Sequence, residues 1–164
     1  MIDELINEYE STLPFRLDDF QREAIAKLER SRGVLVSAPT SSGKTMVAEY
    51  AIWRRLRAPE ALRKPPSDPA DVVYTTPLKA LSNQKYRDLA ERYGEHNIGL
   101  VTGEHTINDA APILVMTTEI LRNVLYDEPA RVDRVGDVVL DEVHYIDDYP
   151  RGTVWEEVII EAPR

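Results

Sequence analysis

No cysteine occurs among the 164 residues of the sequence. Without thiols the chain can form neither a disulfide bond nor a thiolate zinc site, so folds that depend on either are excluded. No segment approaches the ~20 consecutive apolar residues that cross a bilayer. The N-terminal MIDELINEYE also carries acidic residues where a secretory signal needs a basic stretch followed by an apolar run. These absences predict a cytoplasmic protein that is not bound to a membrane.

Excess positive charge is lacking too, since the formal net charge is −9 at pH 7. A protein that coats nucleic acid electrostatically needs Lys and Arg to neutralise phosphates, and this composition argues against that class. Any nucleic-acid contact should therefore be local and use a few hydrogen-bond donors and helix N-termini. The length and the 43% hydrophobic and 30% charged fractions are those of one globular domain with one core, over residues 1–164.

What the sequence does contain is a series of short, nearly continuous apolar runs rich in β-branched residues. Such runs are typical of strands in a parallel sheet that is covered on both faces. Apolar residues at helical spacing lie between or after them, for example at 86–93 and 154–159. This alternation predicts an α/β fold, with a mostly parallel sheet flanked by helices on both faces. The predicted strands are residues 34–37, 72–75, 98–101, 113–116 and 138–140.

Residues 58–71 interrupt the alternation with a cluster of prolines. Neither a helix nor a central strand can continue through such a cluster. The segment is predicted to be a surface loop within the domain, which connects the helix after residue 43 to the next strand. Its prolines are Pro59, Pro65, Pro66 and Pro69.

The segment APTSSGKT, residues 38–45, joins the first predicted strand to an amphipathic helix. Small and flexible residues at this junction allow successive backbone N–H groups to point at phosphate oxygens, and the helix dipole reinforces them. Lys44 is predicted to reach the β- and γ-phosphates of ATP, and the Thr45 hydroxyl to ligate Mg²⁺. Position 38 is Ala where the strict motif has Gly, and a Ser/Gly loop capping a helix at Ser41 or Ser42 is the alternative. The predicted nucleotide-binding residues here are Pro39, Thr40, Ser41, Ser42, Gly43, Lys44 and Thr45.

Two acids, Asp141 and Glu142, directly follow the apolar run that ends at residue 140. They should emerge at the carboxyl end of a strand, where ligands bind in open α/β sheets. Asp141 is predicted to hold Mg²⁺ through water, and Glu142 to orient or deprotonate the attacking water. An acid pair alone is more typical of a solvated strand end, but with the GKT loop it predicts a nucleotide hydrolase. That prediction requires the turn around Gly43 and Lys44 to face the two acids across a magnesium-sized gap.

A set of further segments surrounds these two motifs in a fixed order. With them the sequence resembles the superfamily 2 helicases, and among these the superkiller-type DExH-box RNA helicases, including the bacterial HelY-like proteins. The resemblance runs nearly end to end and implies the P-loop RecA-like fold of an N-terminal helicase domain. The segments that carry it are FRLDDFQ (15–21), APTSSGKT, TPLKALSNQKY (76–86), TGE (102–104), TTEILRN (117–123), DEVH (141–144) and DDYPRGTVWEE (147–157).

The resemblance assigns adenine recognition to Gln21, with Phe15 as a stacking partner for the base. A second interpretation of Gln21 needs no nucleotide. Asp18 followed three residues later by Gln21 is also a capping box for the helix that begins there.

The resemblance further places single-stranded nucleic acid, RNA rather than DNA, across segments that follow three of the predicted strands. Backbone amides and short hydroxyl side chains would hold its phosphates, which suits an acidic domain. The predicted contact residues are Pro77, Lys79 and Gln84, then Thr102 and Gly103, then Thr118, Glu119 and Arg122. By the same resemblance His144 couples the nucleotide site to the motif that follows, and a partly exposed histidine without that role is the alternative.

Compared with the family pattern, the sequence stops at EAPR before the Ser-Ala-Thr motif (motif III), and the second RecA-like domain is absent. The resemblance implies that the strand next to the phosphate loop is missing as well. We therefore expect these 164 residues to bind Mg-ATP weakly at most. The intact protein is expected to hydrolyse ATP and to translocate along or unwind RNA. A DNA-directed helicase and a non-catalytic nucleotide-binding fragment are the alternatives.

Overall fold

The computed structural model of the chain describes residues 1–39, 41–57 and 71–162. Thr40 of the predicted phosphate loop and residues 58–70 of the predicted Pro-rich loop lie outside these ranges. Asp71, the last residue assigned to that loop, is instead the first residue of a strand. The chain forms two compact units, of which the first runs from Met1 to Arg54 and the second begins at Arg55. The prediction of one domain over residues 1–164 stays a prediction.

The first unit is built from helices α1 (Ile2–Ser11), α2 (Asp19–Leu28) and the start of α3 (Thr45–Arg57). Aromatic packing joins α1 to α3, because the Tyr9 ring meets the Tyr50 ring edge-on with 5.3 Å between centroids. The Tyr9 hydroxyl donates a hydrogen bond to the Met46 carbonyl at 3.0 Å. The core of this unit consists of Ile6, Tyr9, Leu17, Ala24, Ile25, Val47 and Tyr50.

Residues 34–37 do not form the predicted buried strand, and this prediction was wrong. Val34 and Val36 pack against the core of the first unit, whereas Leu35 between them is 77% exposed. The segment is therefore extended with one face covered, and within the described ranges it belongs to no hydrogen-bonded ladder. A β-branched run favours extended backbone, but a strand also needs a neighbouring strand to pair with.

The second unit contains the sheet, whose order among the described residues is β3-β2-β4-β1-β5. All neighbouring pairs are parallel except β2 with β3, which is antiparallel. The four predicted strands in this unit are confirmed, and so is a mostly parallel sheet flanked by helices. The two-residue strand β3 was not predicted. The strands are β1 (Asp71–Thr76), β2 (Ile98–Val101), β3 (Thr106–Ile107), β4 (Ile113–Thr117) and β5 (Val135–Leu140).

Helices connect β1 to β2 and β4 to β5, whereas β2, β3 and β4 follow one another without a helix between them. Leu89 and Ala90 are the buried apolar residues of α4, and Trp155 and Val158 those of α7. Ile159, which shares the predicted apolar stripe of α7, is 49% exposed. No helix in the described ranges is both long and apolar enough to span a membrane. The helices are α4 (Lys79–Tyr93), α5 (Thr118–Asp127), α6 (Pro129–Val132) and α7 (Gly152–Glu161), with 3₁₀ turns at Glu95–Asn97 and Val143–Asp147.

Candidate nucleotide and nucleic-acid site

The predicted phosphate loop lies in the first unit and leads directly into α3. Ser41 and Gly43 have positive φ angles of 63° and 80°. The Ser42 N–H donates to the Pro39 carbonyl at 3.2 Å, which closes a turn. Helical hydrogen bonding starts when the Met46 N–H donates to the Gly43 carbonyl at 3.0 Å. The N–H groups before Met46 therefore precede the helical ladder, as an anion site at a helix N-terminus requires.

Glycine is required at position 43 by the positive φ angle of the backbone and by the close approach of a neighbouring side chain. A Cβ at this position would lie 2.6 Å from Gln21 Nε2. That Nε2 donates to the Gly43 carbonyl at 2.9 Å, so the close approach is part of a hydrogen bond. A side chain at position 43 would both strain the positive φ and break this contact.

Gln21 is 4% exposed, and its amide joins the N-terminus of α2 to the phosphate loop. Its Oε1 accepts from the Asp18 N–H at 2.8 Å, which is one half of the predicted capping box. The cap and the contact to Gly43 together explain why the side chain is buried. An amide keeps a second N–H and a second lone pair, so adenine recognition by Gln21 stays a prediction. Phe15, its predicted stacking partner, is 49% exposed.

Two polar side chains of the loop have hydrogen-bonding capacity to offer a ligand. Ser42 Oγ is buried and has no hydrogen-bond partner among the residues that the structure describes. Lys44 Nζ lies 3.5 Å from the Ala38 carbonyl, which is a long and weak contact. A buried orphan hydroxyl and a loosely held ammonium fit phosphate oxygens, which accept hydrogen bonds from both. Thr45 begins α3 and presents a hydroxyl oxygen, the ligand type that Mg²⁺ prefers.

The predicted metal-binding carboxylate, Asp141, lies in the second unit immediately after β5. Its Oδ2 accepts from the Tyr74 hydroxyl at 2.7 Å, and its Oδ1 accepts from the Glu142 N–H at 2.9 Å. The Asp141 N–H in turn donates to the Thr75 carbonyl at 3.1 Å. Strand β1 thus fixes both the backbone and the carboxylate of Asp141. Each oxygen retains lone-pair capacity, so the group is an oriented oxygen donor suited to water-mediated Mg²⁺ binding.

Tyr74 is a site residue that lies outside the sequence motifs. It is fully buried in β1, and a buried tyrosine hydroxyl normally finds a hydrogen-bond partner. That rule signals a partner for Tyr74 but does not identify it as Asp141.

Glu142 occupies a strained backbone position, with φ 57° and ψ 43° in the left-handed region. Holding a non-glycine residue there costs ~1–3 kcal/mol, a strain that is concentrated at functional positions. The Glu142 carboxylate lies 3.2 Å from His144 Nδ1, and the His144 ring packs on Tyr145 with 4.9 Å between centroids. His144 belongs to the same turn, and its side chain is 69% exposed. Its coupling to a following motif stays a prediction.

The predicted nucleic-acid contacts all lie in the second unit, after the carboxyl ends of three neighbouring strands. Pro77, Lys79 and Gln84 follow β1, Thr102 and Gly103 follow β2, and Thr118, Glu119 and Arg122 follow β4. Because β4 lies between β2 and β1, the three segments share one edge of the sheet. The topology therefore brings these residues onto a common edge.

The hydroxyl groups on this edge differ in what they can offer. Thr102 Oγ1 is engaged in its own turn, since it donates to the His105 carbonyl and accepts from the His105 N–H, each at 3.0 Å. Thr118 Oγ1 is buried and unpartnered within the described part of the chain. Thr118 is also the first residue of α5, whose first-turn N–H groups have no partner within the helix, although that of Ile120 donates to the Thr117 hydroxyl at 3.4 Å. Of the two threonines, Thr118 fits the predicted phosphate contact better.

The two cations among the predicted contacts both have acidic neighbours. Lys79 forms an ion pair with Glu104, which follows Gly103 in the turn after β2. Arg122 Nη1 lies 3.7 Å from Glu157 Oε2. The edge therefore presents paired rather than free positive charge, in keeping with the net charge of −9.

A parallel sheet with an acidic turn at its carboxyl edge is the architecture of a RecA-like motor domain. The structure of the Mycobacterium smegmatis helicase Lhr bound to ssDNA and AMP-PNP shares this fold, with a TM-score of 0.69 and 27% sequence identity over 96% of this chain and 23% of that one. The DEAD/DEAH box helicase family model matches residues 18–164, and the chain belongs to that family.

Two relatives agree closely with this chain in sequence. The probable helicase HelY of Mycobacterium leprae is 52% identical over 155 residues, which is 94% of this chain and 16% of the relative. The ATP-dependent RNA helicase mtr4 of Schizosaccharomyces pombe is 52% identical over 152 residues, which is 93% of this chain and 12% of the relative. The resemblance to HelY-like DExH-box helicases is confirmed. The chain spans about a sixth or less of the length of these relatives.

Proposed function

We propose that this chain forms most of the first ATP-binding motor domain of a helicase that hydrolyses ATP and translocates along or unwinds RNA. The observation that carries the proposal is the strained turn after β5. There Asp141 is oriented by Tyr74, and Glu142 is held in a left-handed conformation. The fixed order of the phosphate loop, this turn and three strand-end segments supports it.

The roles of the residues follow from their chemistry. Backbone N–H groups of residues 43–45, together with Lys44, would bind the ATP phosphates, and Thr45 and Asp141 would hold Mg²⁺, the latter through water. Bound Mg²⁺ neutralises charge that develops on the phosphate oxygens. Glu142 orients the attacking water and accepts its proton. This assignment requires the loop and the acidic turn to meet around one nucleotide.

Turnover by the 164-residue chain alone should be near background. In motors of this kind an arginine finger adds ~10³ to 10⁵ in rate, and we infer that the second RecA-like domain supplies it here. The far greater length of HelY and mtr4 supports a larger intact protein. We expect this chain alone to bind Mg-ATP weakly.

RNA is the proposed substrate because the relative mtr4 is named an RNA helicase at 52% identity. The DNA-directed alternative has support as well, since the Lhr structure contains ssDNA. We expect the ATPase of the full-length protein to be stimulated more strongly by single-stranded RNA than by DNA of the same sequence. Steady-state phosphate release with each strand measures this, with the Lys44→Ala variant as the blank.

Stronger stimulation by DNA would mean that DNA is the substrate instead of RNA. The assignment as an ATP-driven motor would still hold. Absence of ATP hydrolysis with either strand would favour the third candidate, a nucleotide-binding module without catalytic activity.

We assign Tyr74 as a positioning residue for Asp141, because its hydroxyl donates to the Asp141 carboxylate. Tyr74→Phe removes the hydroxyl that orients the carboxylate and keeps the ring in the core. We expect the Mg²⁺ concentration for half-maximal ATP binding to rise roughly 10-fold, the effect typical of a lost outer-shell partner. A fluorescent ATP analogue titrated with Mg²⁺ in the full-length protein measures the shift.

The matched control for this variant is Tyr126→Phe, because Tyr126 is 58% exposed on α5 and outside the site. An unchanged Mg²⁺ requirement in a Tyr74→Phe protein of normal thermal stability would show that the hydroxyl serves packing alone.

A further inference from the structure

The ion pair between Lys79 and Glu104 joins two segments that are not neighbours in the sheet. Lys79 begins α4 after β1, and Glu104 lies in the turn after β2. Because β4 lies between those strands, the pair crosses the carboxyl end of β4, where α5 begins at Thr118. The pair therefore lies across the middle of the edge on which the proposed nucleic-acid contacts converge.

The two side chains remain accessible to a ligand. Their exposed fractions are 43% for Lys79 and 71% for Glu104. The hydrogen bond from Lys79, followed by its charge, holds the pKa of Glu104 below its ordinary value, so the carboxylate is ionised at neutral pH. Exposed ion pairs add little to folding stability, so the fold does not depend on this one. An exposed carboxylate at the centre of a phosphate-binding edge calls for a functional explanation.

We propose that Glu104 is a built-in competitor that occupies the Lys79 ammonium until an RNA phosphate displaces it. The proposal rests on the function inferred above and adds a regulatory residue to it. Binding at Lys79 is then an exchange of a carboxylate for a phosphate. The exchange lowers the affinity of this edge for any single strand that pairs with Lys79.

This exchange has a measurable signature in the salt dependence of binding. A phosphate that pairs with a free lysine releases a counterion, with a slope of about −0.7 in log K against log salt for each contact on a single strand. In the wild-type protein the displaced Glu104 takes up a cation, which cancels most of that release. Glu104→Gln removes the competitor, so binding should tighten about threefold or more at ~50 mM salt, and the slope should steepen by ~0.7.

The test uses the full-length protein and a fluorescein-labelled, unstructured single-stranded RNA, with anisotropy titrations from ~50 to ~200 mM salt. The variants are Glu104→Gln, Lys79→Met and the double substitution. Glu95→Gln is the matched control, because it removes one exposed acid from the 3₁₀ turn at the opposite end of β2. We expect the gain in Glu104→Gln to vanish in the double variant, which should equal Lys79→Met, and Glu95→Gln to behave as wild type.

Three outcomes would overturn the inference: a Glu104→Gln protein with wild-type affinity and slope, an equal gain in Glu95→Gln, or a gain that survives the loss of Lys79. Failure of the proposed function would be visible in the wild-type protein itself, as absence of single-strand binding, and would overturn both claims. Melting temperatures of the variants check folding, and we expect them to match wild type since the pair is exposed.

Discussion

Glu142→Gln in the full-length protein should leave ATP binding intact and slow ATP hydrolysis roughly 10² to 10⁴-fold, the usual contribution of a general base. Glutamine has nearly the same shape as glutamate but cannot accept the proton of the attacking water. It also keeps a side chain that fits the turn, whose backbone at position 142 is left-handed. Single-turnover hydrolysis in the presence of RNA measures the chemical step, and a fluorescent ATP analogue measures binding.

The control for this prediction is Asp133→Asn, which changes another exposed carboxylate to an amide in the turn before β5, at the opposite end of the strand. That variant should hydrolyse ATP at the wild-type rate. If Glu142→Gln instead weakens ATP binding as much as it slows hydrolysis, Glu142 shapes the site rather than activating water, and its assignment is wrong.

Most of the sheet could be predicted because its strands are continuous apolar runs with strong local signals. Val72–Thr75 and Ile113–Met116 lie within β1 and β4, as their composition indicates. Residues 34–37 are likewise a short run with β-branched residues, but they belong to no ladder among the residues that the structure describes. The difference is non-local, because a β-strand forms only when it is hydrogen-bonded to a partner strand. The sequence pattern of one segment contains no information about that partner.

The site shows the same division between local and non-local information. The capping contact of Gln21 with Asp18 follows from a spacing of three residues, and the structure contains it. The contact of Gln21 with Gly43 spans 22 positions, and that of Tyr74 with Asp141 spans 67. Motifs identify residues with the right chemistry, whereas the neighbours that orient them are brought together by the fold.

Backbone strain is a further property that the sequence did not reveal. DEVH identifies Glu142 as a candidate base, but nothing in those four letters predicts a left-handed φ. Strain of this kind persists when surrounding contacts determine the conformation. Here the Thr75 carbonyl and the Tyr74 hydroxyl fix Asp141, and the turn follows from that anchor. Strand β1, about 67 residues earlier in the chain, thus anchors the residue that precedes the proposed base.

Lys44→Ala should have the largest effect on nucleotide binding, weakening the affinity of the full-length protein for Mg-ATP about 10²-fold or more. The ammonium is poised to make charge-assisted hydrogen bonds to phosphate oxygens, each of which contributes about 1.5–3 kcal/mol. In the free protein Lys44 Nζ makes a weak contact with the Ala38 carbonyl at 3.5 Å. Folding stability should therefore change little, because the loop conformation depends on Gly43 and Gln21.

The matched control is Lys27→Ala, which removes an exposed lysine from α2 in the same unit, where it pairs with Glu23. Calorimetric titration with Mg-ATP should give wild-type affinity for that variant and an affinity about 10²-fold lower or more for Lys44→Ala. If Lys44→Ala binds ATP normally but fails to hydrolyse it, the ammonium acts in the transition state alone. The loop backbone and Ser42 would then account for ground-state binding, and Lys44 would join Glu142 among the residues of the chemical step.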